Sequence, residues 1–258
     1  MMKRKETAIV VSQHEIACGI YDLWLQCELA KEGNAGQFVC LFTNDTSKLL
    51  PRPISICEVD EKRSQLRLVY RVAGEGTKEF ATYQKGDQVA ILGVLGNGFP
   101  IEKTIGKKVL LLGGGIGIPP MLETAKRSKG SLQIGVGYSN QEVFLQEELQ
   151  EYGKVVVATM DGSVGIEGTI LDAIRETSYV PEVIFACGPM VMLRAVKEYA
   201  LEVGAEAYLS LEERMACGVG VCLGCVTKTK ERNHHSHVHQ ARICTEGPVY
   251  PAKEVTLS

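Results

Sequence analysis

The sequence predicts an antiparallel β-barrel, then a parallel-sheet α/β domain, then a small cysteine-rich unit. Three observations predict that order. The N-terminal part is cut into short alternating apolar runs separated by turns. The middle alternates buried-strand runs with helical periodicity. The last stretch gathers glycines and four closely spaced cysteines. The expected divisions are residues 1–104, 105–207 and 208–258. At 258 residues and 45% hydrophobic content, the chain can bury two cores and a small third one.

In the first unit, strands are expected at 7–11, 21–28, 37–42, 54–59, 65–72 and 88–91, with Gly36, Gly74, Gly76 and Gly86 in the breaks. Short, evenly spaced strands with little helical signal fit a barrel. The second unit opens on Lys108-Val109-Leu110-Leu111-Leu112, the continuous apolar run of a strand covered on both faces. Further strands are expected at 132–138, 155–159 and 183–186, and helices at 121–128, 146–152, 170–175 and 190–203. That alternation implies a parallel sheet. The third unit starts near Leu209, and no internal repeat is visible.

A net charge of −3 offers no attraction to nucleic acid or an anionic membrane. The longest apolar stretch, 109–122, contains four glycines and two prolines and is too short and too broken to span a bilayer. Nine cysteines, an odd count, without a secretory signal lead us to expect a reducing, cytoplasmic setting.

Cys217, Cys222 and Cys225 read C-x4-C-x2-C, and Cys244 returns from farther along. This is the spacing of a plant-type [2Fe–2S] site. Gly218, Gly220 and Gly224 let the backbone curl and aim N–H groups at the sulfurs. Zinc held by four thiolates is the alternative, although zinc ribbons pair two C-x2-C knuckles and only one is present. Cys18, Cys27, Cys40 and Cys57 lie in apolar runs and read as small core residues.

Gly113, Gly114, Gly115 and Gly117 follow the first strand of the α/β unit and precede Pro119-Pro120. Glycines allow backbone to approach a pyrophosphate, and a helix starting near Pro119 presents free N–H groups and a positive dipole end. A proline stands in the third glycine's place of the usual dinucleotide fingerprint, so a turn shaped only by packing is the alternative. The strand at 132–138 runs into Ser139-Asn140-Gln141-Glu142, with no Arg or Lys for a 2′-phosphate, which favours NAD over NADP. Cys187-Gly188-Pro189 lies at the end of the strand at 183–186, where such sheets bind ligands. Taken alone, Cys187 reads either as a buried thiol or as a group beside the ligand.

In the barrel, Arg52-Pro53-Ile54-Ser55 carries an arginine able to hold a flavin pyrophosphate bidentately. The Ser55 hydroxyl could reach the flavin N5, the atom that passes hydride. Gly74-Glu75-Gly76-Thr77 resembles a phosphate-cradling turn before a helix containing residues 78–83. Each stretch alone is an ordinary polar turn; beside a nucleotide domain and a cluster motif they read as a flavin cradle.

This succession of motifs resembles the ferredoxin–NADP reductase superfamily. More narrowly, the run from Leu211-Glu212-Glu213-Arg214-Met215-Ala216-Cys217 through Cys225, with Ile243-Cys244-Thr245-Glu246-Gly247-Pro248-Val249-Tyr250, resembles the electron-transfer subunits of type B dihydroorotate dehydrogenase. The likeness covers essentially the whole chain. It implies FAD contacts at Arg52, Pro53, Ile54, Ser55, Val69, Tyr70, Arg71, Gly76 and Thr77, and [2Fe–2S] ligands at Cys217, Cys222, Cys225 and Cys244. With it, the NAD site is expected at Gly113, Gly114, Gly115, Gly117, Cys187, Gly188 and Pro189. Ser55 at the flavin and Cys187 beside the nicotinamide are the expected catalytic residues.

The resemblance further implies an FMN-containing dihydroorotate dehydrogenase catalytic subunit as partner, in a heterotetramer with two copies of each. Electrons from dihydroorotate would pass through cluster and FAD to NAD⁺ in pyrimidine biosynthesis. Two departures stand out. Ile54 occupies the place where the wider reductases put a tyrosine that stacks on the flavin. His234, His235, His237 and His239 are not accounted for by the resemblance and read as a solvated hairpin tip, with a metal site as the alternative. The other readings are a flavin/iron–sulfur subunit of a ferredoxin:NAD(P) oxidoreductase, hydrogenase or sulfide dehydrogenase, or a non-enzymatic zinc or flavin-binding module. The Glu213-Arg214-Met215-Ala216-Cys217 peptide argues against the first of these.

Overall fold

Six antiparallel strands close into a barrel in the order β1-β2-β5-β4-β3-β6. They are β1 (Arg4–Ala17), β2 (Ile20–Gln26), β3 (Phe38–Leu41), β4 (Arg52–Asp60), β5 (Gln65–Arg71) and β6 (Gln88–Leu95). The structure, a computed structural model, describes residues 3–231 and 238–257. Leu23, Leu25, Leu66, Leu68, Val89 and Ile91 are fully buried at alternate positions, as a pleated strand requires, and fill the barrel. β1 extends well beyond the expected 7–11. Its polar second half pairs only with β2, so it lacks the in–out alternation that marks a strand with one buried face.

The barrel wall departs from a regular ladder at one place. β4 and β5 pair from Asp60↔Gln65 to Ile56↔Leu68, and there the ladder stops. Residues 52–55 still pair with β3, and residues 69–71 still pair with β2. Between these two segments lies a slot edged by backbone without a ladder partner. Pro53, with no N–H and a bulky ring, cannot join a ladder on that side. Helix α1 (Glu75–Phe80) follows β5 and anchors Phe80 in the barrel core.

The α/β unit runs β7 (Lys108–Gly114), α2 (Pro119–Arg127), β8 (Ser131–Tyr138), α3 (Gln146–Gln150), β9 (Lys154–Thr159), β10 (Ile166–Glu167), α4 (Ile170–Arg175), β11 (Val183–Cys187), α5 (Met190–Val203) and β12 (Glu206–Ser210). These strands are parallel, and Val109 to Leu112 are completely buried, as expected for a central strand covered on both faces. The third unit contributes β13 (Val226–Lys228), β14 (Gln240–Arg242), α6 (Ile243–Glu246) and β15 (Val249–Pro251). The complete sheet order is β10-β9-β8-β7-β11-β12-β15, with β15 antiparallel to β12. The division expected at 207/208 falls inside β12, and the third unit is stitched into the sheet by β15.

The strand order turns back at β7, which has β8 on one side and β11 on the other. A crevice therefore opens at the carboxyl ends of β7 and β11, the place where open α/β sheets bind ligands. Barrel and sheet are locked together beside it. Phe99 stacks on Phe185 at 4.9 Å between ring centroids. Glu123 of α2, fully buried, accepts the N–H of Val59 in β4 at 3.0 Å and pairs with Arg127. Arg67 of β5 grips Asp22 and reaches Glu148 of α3 at 3.0 Å. Among the described residues no helix is long and apolar enough to cross a membrane.

Candidate functional site

The slot between β4 and β5 is where most of the flavin residues expected from the sequence come together. The guanidinium of Arg52 donates to the carbonyl of Leu50 and lies across Gly76, where an added Cβ would sit 2.0 Å from Nε and 2.4 Å from Cζ. Only glycine leaves room for it. Thr77 Oγ1 accepts the N–H groups of Ala73 at 2.9 Å and Gly74 at 3.1 Å, which shapes the turn into α1. An arginine over the first turn of a helix, next to unpaired strand backbone, is a donor set that fits the pyrophosphate and ring edge of FAD.

The Tyr70 side chain points into the barrel core, is almost fully buried, and donates its hydroxyl to Gln13 Oε1 at 2.9 Å. Alternation along β5 decides this, so Tyr70 offers the slot only its backbone, while its neighbours Val69 and Arg71 face the other way. Ile54 is half-buried and packs against the barrel core.

The glycine loop divides into two roles. A Cβ at Gly113 would lie 2.8 Å from Cα of Ile118, one at Gly114 2.5 Å from Sδ of Met192, and one at Gly117 2.4 Å from the carbonyl oxygen of Cys187. Packing is sufficient reason for these three, against Ile118 for Gly113 and against the Cys187-Gly188-Pro189 turn and α5 for Gly114 and Gly117. Gly115 differs: its φ is +53°, and the nearest atom to its missing Cβ is Arg71 Nη2 at 3.5 Å. Its open side faces the slot. In the turn after β8, Glu142 accepts the N–H of Cys18 at 3.0 Å.

Cys187 is buried in register with Gly113 on one side and Ser210 on the other. Burial, reinforced by the charge of Glu212, pushes its thiol up to about 12 against the opposing bond from Ser210, so it is neutral at ordinary pH. Glu212 is a residue that sequence reasoning passed over. It is an exposed residue by surface, yet its carboxyl is desolvated by surrounding protein, which raises its pKa while Arg71 pulls the other way. Arg71 from the barrel, Gly115 and Cys187 from the sheet, and Glu212 from the third unit thus meet at one crevice. The only sequence signal for Glu212 is its place directly after a strand and before the cysteine motif.

The cysteine loop curls as its glycines predict, with φ of +68° at Gly218 and +85° at Gly220. Cys217 Sγ accepts the N–H groups of Val219 and Val221 at 3.4 Å and of Cys222 at 3.5 Å, and Gly224 donates to Cys222 Sγ at 3.4 Å. Burial works against ionisation of Cys217, but the N–H groups of Cys222, Val219 and Val221 prevail and bring its thiol down to about 6. Cys225 and Cys244 are buried, and burial together with Cys225 pushes Cys244 up to about 12.

The thiols fall into two pairs by position, Cys217 and Cys222 on the curled loop where they accept its N–H groups, and Cys225 and Cys244 buried. No three His, Cys, Asp or Glu side chains among the described residues gather as round a single ion. Two thiol pairs, one for each iron, fit a sulfide-bridged diiron unit.

The loop rests on the flavin barrel. A Cβ at Gly218 would meet Cys40 Sγ at 3.1 Å, and Cys40 of β3 is the ladder partner of Pro53. Cys40 is therefore more than a core filler: it lies between the two sites. Cys27 and Cys57 are buried as expected, whereas Cys18 is exposed in the turn between β1 and β2. Val221 and Leu223, 79% and 62% exposed, flank the exposed Cys222. Of the histidines, His239 places Nδ1 2.9 Å from the carbonyl oxygen of Lys230; His234, His235 and His237 lie outside the described residues.

Residues 212–256 match the family described as the iron-sulfur cluster binding domain of dihydroorotate dehydrogenase B. Two chains named dihydroorotate dehydrogenase B (NAD(+)), electron transfer subunit, from Bacillus cereus (strain AH187) and Bacillus anthracis (strain A0248), are 42% identical to this one over 264 residues, covering 99% of it and 100% of each of them. Among solved structures, the NADH-dependent reduced ferredoxin-NADP oxidoreductase superposes with a TM-score of 0.87 at 25% identity, over 97% of this chain and 90% of that one. A ferredoxin NADP+ reductase from Neisseria gonorrhoeae with bound FAD and NADP reaches 0.65 at 20% identity, over 78% of this chain and 92% of that one, a likeness of fold. A cysteine claw matched to that cluster domain, on a reductase barrel and sheet, in a sequence aligned end to end with those relatives, means that the chain belongs to the electron-transfer subunits of dihydroorotate dehydrogenase B.

Proposed function

We propose that this chain carries electrons from an FMN-containing dihydroorotate dehydrogenase catalytic subunit, through a [2Fe–2S] cluster and FAD, to NAD⁺ in pyrimidine biosynthesis. The observation that carries this reading is the seat of the cluster loop on the flavin barrel, Gly218 against Cys40 and Cys40 paired with Pro53. Such a contact makes sense when electrons must cross from one side to the other. When bound, FAD exchanges hydride with nicotinamide and single electrons with an iron–sulfur centre, so it converts one kind of transfer into the other.

In this reading Cys217, Cys222, Cys225 and Cys244 hold the cluster. The exposed Val221 and Leu223 around Cys222 form the patch that the catalytic subunit covers. Arg52, Gly76 and Thr77 bind the pyrophosphate of FAD, and Pro53, Ile54, Ser55, Val69, Arg71 and the backbone of Tyr70 line the ring, with Ser55 at N5. Gly115 leaves space for NAD⁺, while Gly113, Gly114, Gly117, Gly188 and Pro189 shape the crevice. The neutral Cys187 thiol lets the nicotinamide approach without introducing charge. Two single-electron passages accompany each NAD⁺ reduced. We assign the complex two copies of each subunit and a cytoplasmic location.

The structural likeness to the NADH-dependent ferredoxin-NADP oxidoreductase is the one observation favouring the alternative. The higher identity to dihydroorotate dehydrogenase subunits and the cluster-domain match weigh against it. The purified chain should show flavin bands over a broad iron–sulfur absorbance and reduce dyes with NADH unaided. Dihydroorotate-dependent NAD⁺ reduction should require the catalytic subunit. A reconstituted complex that never couples the two reactions overturns the proposal.

A further inference from the structure

Among the described residues, two buried side-chain polar atoms have no hydrogen-bond partner, the hydroxyls of Thr245 and Tyr250. Both follow Cys244 closely in sequence. A buried hydroxyl left unpaired costs about 1–3 kcal/mol. Two of them beside one candidate ligand call for a common acceptor.

The surroundings of each point the same way. Tyr250 is 6% exposed and belongs to the same apolar cluster as Cys225 and Cys244. Its ring and hydroxyl occupy the space above Gly247, where an added Cβ would be 2.8 Å from the hydroxyl oxygen. Thr245 faces the cysteine loop from the other direction: a Cβ on Gly220 would be 2.7 Å from its Cγ2 and 3.2 Å from its Oγ1. Gly220 lies between Cys217 and Cys222. Thr245 therefore stands against the loop between Cys217 and Cys222, and Tyr250 within the apolar cluster that holds Cys225 and Cys244. Backbone N–H groups already serve Cys217 and Cys222, whereas among the described residues no backbone donor of that kind is directed at Cys225.

We propose that the hydroxyls of Tyr250 and Thr245 donate hydrogen bonds to sulfur atoms of the [2Fe–2S] cluster and thereby hold its reduction potential up. Sulfur in an iron–sulfur cluster accepts such bonds, and they are one of the levers that set its potential. The sign follows from charge. Reduction adds an electron, the sulfurs become more negative, and a donor stabilises the reduced state more than the oxidised one. Tyr250 and Thr245 are positioning residues here; neither exchanges an electron or a proton. The inference rests on the proposed cysteine ligation.

The test uses the full chain, with Tyr250→Phe, Thr245→Val and Thr245→Ser, each assayed for iron, acid-labile sulfide and FAD and then titrated anaerobically while the electron paramagnetic resonance of the reduced cluster is followed. At a fixed solution potential, Tyr250→Phe and Thr245→Val should each lower the ratio of reduced to oxidised cluster by up to about tenfold, a fall of about 59 mV for a one-electron centre. Thr245→Ser, which keeps the hydroxyl, should retain the wild-type midpoint. A variant that keeps its cluster and its midpoint strikes that hydroxyl from the proposal, and two such results overturn it, as they would if the hydroxyls met only a buried water. Should Tyr250→Phe fail to assemble, 3,5-difluorotyrosine at position 250, a stronger donor of nearly the same shape, must raise the midpoint; no rise overturns the role of Tyr250. Wild-type protein without iron or sulfide refutes the ligation itself, a failure distinct from an unmoved potential.

Discussion

Asn97 and Val249, 152 residues apart, exchange two hydrogen bonds: Asn97 Nδ2 donates to the Val249 carbonyl at 2.8 Å, and the Val249 N–H donates to Asn97 Oδ1 at 3.2 Å. The same amide also reaches the carbonyl of Glu246 at 3.1 Å, and the Asn97 N–H donates to Gly247 at 2.7 Å. One side chain at the exit of β6 thus clamps the backbone after Cys244 to the flavin barrel. Asn97→Ala should cost about 1–3 kcal/mol of stability, because partly buried backbone groups lose their partners. Rapid mixing with NADH should show flavin bleaching at the wild-type rate followed by slowed cluster reduction. Equal slowing of both phases would show that the clamp does not act on the cluster–flavin step.

At the slot, Gly76 leaves the space in which the Arg52 guanidinium lies. Gly76→Ala places a methyl 2.0 Å from Nε and must expel the guanidinium. A charge-assisted bond of this type contributes about 1.5–3 kcal/mol, so FAD affinity should fall roughly ten- to hundredfold. Fluorescence titration of FAD-depleted protein measures this, and Arg52→Lys should fall in the same direction because it loses the bidentate fork.

Glu123 has no solvent exposure and answers to both Val59 and Arg127. Glu123→Ala leaves the Val59 N–H and the Nε of Arg127 without their acceptor at the barrel–sheet interface, while Arg127 keeps Asn34, Gly33 and Glu61. Leaving a buried donor without a partner costs about 1–3 kcal/mol, which urea unfolding would detect. Glu123→Gln, which keeps an acceptor for Val59, should cost less.

Glu212 supplies a pH prediction. Desolvation raises its carboxyl above the ordinary 4.5, with Arg71 opposing. The folded state therefore holds the proton more tightly than the unfolded chain does. Stability from this group is fully present below 4.5 and is lost as pH rises through the raised value. Glu212→Gln, neutral throughout, should lose less stability over that window than wild type, as thermal midpoints across a pH series would show. Parallel profiles for the two proteins would contradict the shift.

The cysteine claw was legible because its spacing is local: the first three thiols are carried by one short curling loop, and covalent geometry alone brings them close. Arg52 and Gly76 were legible as types, one a fork for phosphate and the other a residue without Cβ, although their contact across 24 positions was not. That Tyr70 turns its side chain to the core was not legible, because a strand's sequence does not say which of its two faces meets the core. Glu212 and Asn97 were passed over because a lone carboxylate or amide after a strand looks like any solvated turn.

The amino-acid order by itself determined the barrel, the parallel sheet and the spacing of the four cysteines, since apolar period and residue spacing are properties of neighbouring residues. Tertiary structure alone decided that β15 completes the sheet, that Gly113, Gly114 and Gly117 serve packing while Gly115 opens to Arg71, and that Cys40 lies beneath the cluster loop. Those relationships join segments far apart along the chain. They depend on which surfaces remain unfilled once each core has packed, and no local pattern records that.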